Sequence, residues 1–144
     1  MPVRGLDSAL KKTDTLTRDI ADVKAERAVT AALITGQAFA AMLTPVDTSF
    51  LINSQYRDIK KQGSKFIGAV GYTALYAAAV HAASGKLKGQ PRAHFGTTKD
   101  GKQFGGGTGV GRYWDPSAEP EFLTKGFNDN RELVDQAFYG AMKI

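Results

Sequence analysis

Between Ser8 and Leu43 the chain carries no proline, and Leu16, Ile20, Val23, Ala31, Ile34, Ala38 and Met42 recur near a 3.6-residue period, with Arg27 or Ala28 in the gap. The pattern predicts one long amphipathic helix. Asp7 or Ser8, or Asp14 after a frayed start, is suited to cap its N-terminus. Gly36 costs a helix roughly 1 kcal/mol relative to alanine, so it marks a bend or the close approach of another backbone. About 30 helical residues span roughly 45 Å, whereas a globule of this chain length is only about 30 to 35 Å across. Part of the helix must then overhang, and an overhanging apolar stripe calls for a neighbouring subunit, unless the helix breaks between Thr13 and Thr15.

The helix meets a stop at Thr44-Pro45, because proline drives its predecessor out of the α region and removes a backbone donor. Val46 continues into Asp47, Thr48 and Ser49, whose short side chains can bond nearby backbone N–H groups. Phe50, Leu51 and Ile52 follow as apolar anchors. Thr44 to Ser54 is therefore a corner, held by Thr44 and Asp47 and buried by Phe50 and Leu51. Past it, Asn53 to Lys61 reads as a turn of helix running into a strand, Gln62-Gly63-Ser64 as a reversal, and Lys65 to Tyr72 as an antiparallel partner strand. Gly68 and Gly71 in that strand imply a bulge or something packed close over it. Thr73 to Ala83 reads as a short helix with Leu75, Tyr76, Ala79 and Val80 on one face, ended by Ser84-Gly85.

Nine of the sixteen glycines fall between Gly85 and Gly111, which predicts a long extended arm over about 85–113. Inside it, Lys99-Asp100-Gly101-Lys102 has the Asp-Gly pair of a two-residue hairpin turn between Phe95 and Phe104. Tyr113-Trp114 brings the chain back, Pro120 suits the first turn of a helix, and Phe122, Leu123, Phe127, Val134, Phe138 and Ala141 continue at helical spacing, with a bend at Asn128-Asp129-Asn130. Phe50, Leu51, Tyr72, Tyr76, Trp114, Phe122 and Phe127 are the expected core aromatics and anchors. The class is α+β in a single domain over 1–144: a long N-terminal helix, a small central antiparallel sheet with a short helix, a long glycine-rich arm and a C-terminal helix.

Charge narrows the range of partners. Of 19 Lys/Arg and 14 Asp/Glu, residues 51–112 hold ten basic against two acidic, an excess of +8, while residues 113–144 carry −3. Lys86, Lys88, Arg92, Lys99, Lys102 and Arg112 place much of that excess on the arm, which suits an acidic protein surface or a polyanion such as DNA. Without cysteine there is no disulfide, thiol nucleophile or Cys-based zinc site, and His81 and His94 lack a spaced ligand or carboxylate partner. The Gly96 to Gln103 segment imitates a phosphate loop, but Gln103 stands where the magnesium-binding hydroxyl belongs and the Asp-Gly pair accounts for it as a hairpin. Asp19 with Asp22, and Glu119 with Glu121, fall on polar faces. The expectation is a non-catalytic protein without cofactor or metal, with no apolar run long enough for a membrane span and no signal-peptide layout, made in a cytoplasm.

Three segments in order, Thr44-Pro-Val-Asp-Thr-Ser-Phe-Leu-Ile-Asn-Ser54, Val70-Gly-Tyr-Thr-Ala-Leu-Tyr-Ala-Ala-Ala-Val-His81 and Pro120-Glu-Phe-Leu-Thr-Lys-Gly-Phe127, resemble the tail-completion or head-tail joining proteins of tailed bacteriophages, the minor tail protein Z type. The likeness in order and distance runs from about residue 15 to 142. In it, Tyr72, Tyr76, Val80, His81, Pro120, Phe122 and Leu123 belong to packing segments. The chain departs from the family pattern at Ser49, where glycine is usual, at His81, where glutamate is common, and in the longer stretch from Gly85 to Tyr113. The resemblance implies a virion neck component assembled in the bacterial cytoplasm, a ring, hexameric, that joins the head connector to the tail and passes double-stranded DNA. Its partners would be copies of itself, the adjacent connector or head-completion ring, a tail terminator or tail tube protein, and DNA in the lumen without sequence reading. A tail terminator ring of the same neck, or a basic module binding nucleic acid without specificity, are the alternatives.

Overall fold

The computed structural model describes residues 5–46, 49–91, 100–101 and 114–143, and the backbone of 94–97 and 103–105. Its elements in order are helix α1 (Leu6–Leu43), a single turn α2 (Phe50–Asn53), strands β1 (Gln55–Gln62) and β2 (Lys65–Tyr72), helix α3 (Ala77–His81), strands β3 (His94–Thr97) and β4 (Gln103–Gly105), and helices α4 (Phe122–Asn128) and α5 (Arg131–Met142). Two separate two-stranded antiparallel sheets, β1-β2 and β3-β4, make this the expected α+β arrangement of long helix, small sheet, short helix and C-terminal helix.

α1 is a single unbroken helix. The break considered between Thr13 and Thr15 is absent, and Thr13, Thr15 and Thr17 donate their hydroxyls to the carbonyls of Ala9, Lys11 and Thr13 one turn back. No side chain caps the N-terminus: Asp7, Ser8 and Asp14 all lie inside the helix, which starts after Gly5 in the left-handed region at φ 95°. Glycine alone enters that region without a Cβ penalty, so the backbone makes the start that a hydroxyl or carboxylate was expected to make.

Around α1 the body assembles on small residues. α4, α5 and the β1-β2 hairpin all pack on α1, and the side chains it buries are Ala28, Leu33, Gln37 and Ala40, with Gly36 among them. The ring of Phe127 lies over Gly36, leaving no space for a Cβ, and a Cβ on Gly126 would come within 2.5 Å of the Ala40 backbone. Gly36 is thus a close approach and not a bend. β2 crosses the same face at Gly68, where a Cβ would meet Val29 and Leu33 at 2.7 Å. The hairpin register Gln62↔Lys65 to Gln55↔Tyr72 leaves Gly63-Ser64 as the turn, with Gly63 at φ 60°. Strict alternation then puts Phe66, Gly68, Val70 and Tyr72 toward α1. On the outer face the Tyr56 ring covers its cross-strand partner Gly71.

The hydrophobic centre lies beneath the C-terminal end of α1: Leu51, Ala74, Ala77 and Phe122 are buried, with Leu43, Tyr72, Val80 and Leu123 packed against them. Phe122 receives Tyr72 and His81 edge-on, at ring-centroid distances of 5.3 and 5.0 Å. Four expectations differ. Phe50 and Tyr76 are 59% and 45% exposed and stack on each other at the surface instead of joining the core. α3 starts only at Ala77, after a turn in which the Ala77 N–H donates to the Ala74 carbonyl, so Leu75 points wholly into solvent. Pro120 precedes α4 instead of sitting in its first turn, because the Glu121 N–H is drawn to the His81 carbonyl and Glu121 takes the left-handed φ of 52° as the cap. The C-terminal segment is two helices, the Asn130 amide bonding the Gly126 carbonyl across the break. The arm hairpin is present, but its innermost pair is Thr97↔Gln103, so the connection through Asp100-Gly101 exceeds two residues.

Two glycine substitutions separate helix propensity from close packing. Gly126→Ala gains up to about 1 kcal/mol of propensity but forces a methyl into the α1 backbone, an overpacking cost of about 3 kcal/mol at a contact that cannot yield. The net expectation is a loss of roughly 2 kcal/mol. Gly140→Ala, on α5 with nothing within 4 Å of the added Cβ, should stabilise by about 0.5 to 1 kcal/mol. Urea midpoints of the two variants check both signs.

Candidate assembly surface

The corner after α1 is built by a relay of hydroxyls. Thr44 takes extended backbone angles (φ −72°, ψ 130°), as the following proline requires. Its buried hydroxyl donates to the Ala40 carbonyl at 2.7 Å, and so must accept from the Tyr72 hydroxyl at 2.8 Å. Tyr72 in turn accepts from Gln55 Nε2 at 2.6 Å. One line of hydrogen bonds therefore joins the last turn of α1 to β2 and β1. Beyond the bend, Ser49 stands at φ 65°, the left-handed conformation that favours the glycine of the resembled turn. Leu51 is buried and anchors the corner, while Ser54 Oγ bonds the Leu51 carbonyl. Asp47 and Thr48, expected to help hold the corner, lie outside the described residues.

A carboxylate from far along the chain also bonds the corner. Asp115 accepts from the Val46 N–H at 3.0 Å, and from both the N–H and hydroxyl of Ser117. Burial pushes its carboxyl up, but the bonds from Ser117, Val46 and Ala118 outweigh burial and hold it below the ordinary range. Beside it, Trp114 and Gly89-Gln90 exchange two backbone bonds of 3.1 and 2.9 Å, which close the base of the arm. Glu119 binds the ammonium groups of both Lys88 and Lys125, and these contacts lower its carboxyl below the ordinary range. Its N–H donates to the Leu43 carbonyl at 2.9 Å. An open apolar groove of about 310 Å³ runs here, lined by Pro45, Val80, Leu87, Trp114, Ala118 and Pro120.

Of the six basic arm residues, Lys86 borders this groove, and Lys88 is bound to Glu119 instead of standing free for a partner. Arg92, Lys99, Lys102 and Arg112 lie outside the described residues. His81 is half-buried, edge-on to Phe122, with Nε2 3.4 Å from the Thr124 hydroxyl. Among the described residues no cluster of three metal-ligating side chains gathers, and no helix is long and apolar enough to cross a membrane.

The largest surface feature is α1 itself. Every residue from 5 to 21 is exposed, so the N-terminal part of the helix projects beyond the body. Leu6, Leu10, Leu16, Ile20, Val23, Ile34 and Met42 are each roughly half exposed or more. At about 100° per residue, Leu16, Ile20, Val23, Ile34, Ala38 and Met42 share one face, opposite the Gly36 and Ala40 face that the body covers. The apolar stripe read from the sequence is thus real in phase, but it points outward. Glycine marked the packed face, whereas the bonds from Asp115 to Val46 and from Glu119 to Lys88 and Leu43 join residues distant in sequence.

No protein-family model matches the chain, and no curated protein or solved structure matches it either.

Acid should loosen the arm base. Asp115 and Glu119 have folded-state values below their unfolded ones, so their stabilising contribution is complete above the unfolded values of about 4 and is lost as pH falls through the lowered folded values. Asp115→Asn keeps the shape but loses the charge-assisted bonds. It should cost about 1 kcal/mol at pH 7, taken at the low end because the site is partly solvated. Urea titrations at pH 7 and pH 3 should then show a smaller pH difference for the variant than for the native chain.

Proposed function

We propose that this chain is a structural subunit of the neck of a tailed bacteriophage, a ring-forming protein of the tail-completion or head-tail joining kind. The carrying observation is the projecting α1, whose exposed first turns and outward apolar stripe leave the subunit unfinished alone. Supporting it is the backbone at Ser49, which adopts the glycine conformation at the place where the resembled turn has glycine. One residue from each of the three resembling segments, Pro45, Val80 and Pro120, lines the same groove.

On this proposal the protein works by position. Copies close a ring by heterologous contacts, in which one patch of a subunit meets a different patch of the next. The Thr44-Tyr72-Gln55 relay and the Asp115 clamp fix the direction in which α1 leaves the body. The ring would meet the connector or head-completion ring on one side and the tail on the other, with Lys86 and the remaining arm cations toward DNA or an acidic connector surface.

The test is complementation of particles that lack the chain. Complete heads and complete tails that stay unjoined, and that join when the purified chain is added, are the expected result. Tails of unregulated length would reassign it to the tail terminator of the same neck. Normal joined particles without the chain would overturn the proposal.

A further inference from the structure

We infer that the outward stripe of α1 is covered by α1 of a second copy of this chain, laid alongside in the same direction. From Leu16 to Met42 the stripe extends about 39 Å at 1.5 Å per residue, and a helix width of about 10 Å makes it some 400 Å². That lies within the range of the largest apolar patches found on monomers, and is about half of what one side of a standard interface buries, near 800 Å². A straight stripe of this length is fully covered only by a partner of equal length, and α1 is such a partner.

The spacing is suited to it. Leu16, Ile20 and Val23 stand 11 residues before Arg27, Ala31 and Ile34, and Ala38 and Met42 stand 11 after Arg27 and Ala31. An 11-residue repeat follows a nearly straight helix, so paired copies stay in register without the tight supercoil of heptads.

Charge selects the direction. Lys24 and Arg27 lie on the stripe, whereas Asp19 and Glu26 lie along one of its borders, which also carries Lys12 toward the N-terminus, by the about 100° step per residue. None of these makes an ion pair among the described residues, although Asp22 on the packed side is taken by Lys61. A two-fold antiparallel pair would set like border against like border. A same-direction neighbour, as rotation in a ring produces, sets the acidic border of one copy against Lys24 and Arg27 of the next.

This inference rests on the proposed ring, and the experiment separates the two. The full chain is sedimented from micromolar to millimolar concentration, and the neck is imaged in particles rebuilt with each variant. Ile34→Asp should weaken self-association by about a hundredfold, and Glu26→Lys or Arg27→Glu each by about tenfold, while the double reversal recovers to within about threefold of native. Urea midpoints measured where the chain is monomeric should stay unchanged for Ile34→Asp and Arg27→Glu, whose side chains face away from the body. A native-sized ring in Ile34→Asp, or a double reversal no better than the singles, overturns this interface and leaves the ring standing. A native chain that is monomeric both in solution and in the particle removes the ring, and this interface with it.

Discussion

α1 and α4 meet through glycine. Phe127 fills the place of a side chain at Gly36, and Gly126 lets the α4 backbone approach Ala40. Helices that cross on such residues come closer than Leu or Ile would allow, and gain dispersion contacts that a larger side chain would hold apart. The consequence reaches the whole fold. Because the body is seated on Ala28, Leu33, Gly36 and Ala40, most of the larger apolar residues of α1, Leu16, Ile20, Val23, Ile34 and Met42 among them, stand on the far side.

The corner converts that seat into a direction. A helix held only by a close crossing can still swing about the contact, and the swing is stopped at its C-terminal end. Thr44 is bound through Tyr72 to the sheet, Val46 through Asp115 to the segment before α4, and the Leu43 carbonyl to the Glu119 N–H. Three tethers from two different parts of the chain fall within four residues, so the angle of α1 to the body is over-determined. Phe122, wholly buried, lies at the centre of the same region with Tyr72 and His81 edge-on.

What the sequence makes legible divides along this physics. Local rules fix the helix stop at Pro45, the Gly63-Ser64 hairpin, the strands and the arm hairpin, since each depends on neighbours in the chain. The N-terminal start and the beginning of α4 depart from capping rules, because Gly5 supplies a backbone conformation and the His81 carbonyl makes a tertiary demand on Glu121. The direction of the apolar stripe was hidden for a different reason. Periodicity gives the phase of a face, and only the partner says whether it turns inward. The rule that the largest apolar side chains point to the core misplaces Ile34, Met42, Phe50 and Leu75, although Leu33, Leu51 and Phe122 obey it. Asp115 and Glu119 were hidden by distance, Val46 lying 69 residues from Asp115 and Leu43 lying farther still from Glu119.

The same contacts alter the meaning of the basic middle of the chain. Counted along the sequence it offers a broad positive surface, but in the fold Lys60 pairs with Asp58, Lys61 with Asp22 and Lys88 with Glu119, while Arg57 bonds Gln37. Pairing leaves the charges in place but cancels much of the local field that a phosphate backbone would meet, and screening at about 8 to 10 Å removes more. Among the described basic residues of this stretch Arg57, Lys65 and Lys86 make no ion pair, Lys65 standing at the hairpin tip and Lys86 beside the arm base. The described part of this stretch therefore offers a polyanion less net field than its count of cations implies. On the proposed ring, apolar area on α1 would supply the affinity and a few unpaired charges on α1 would select the partner and its direction.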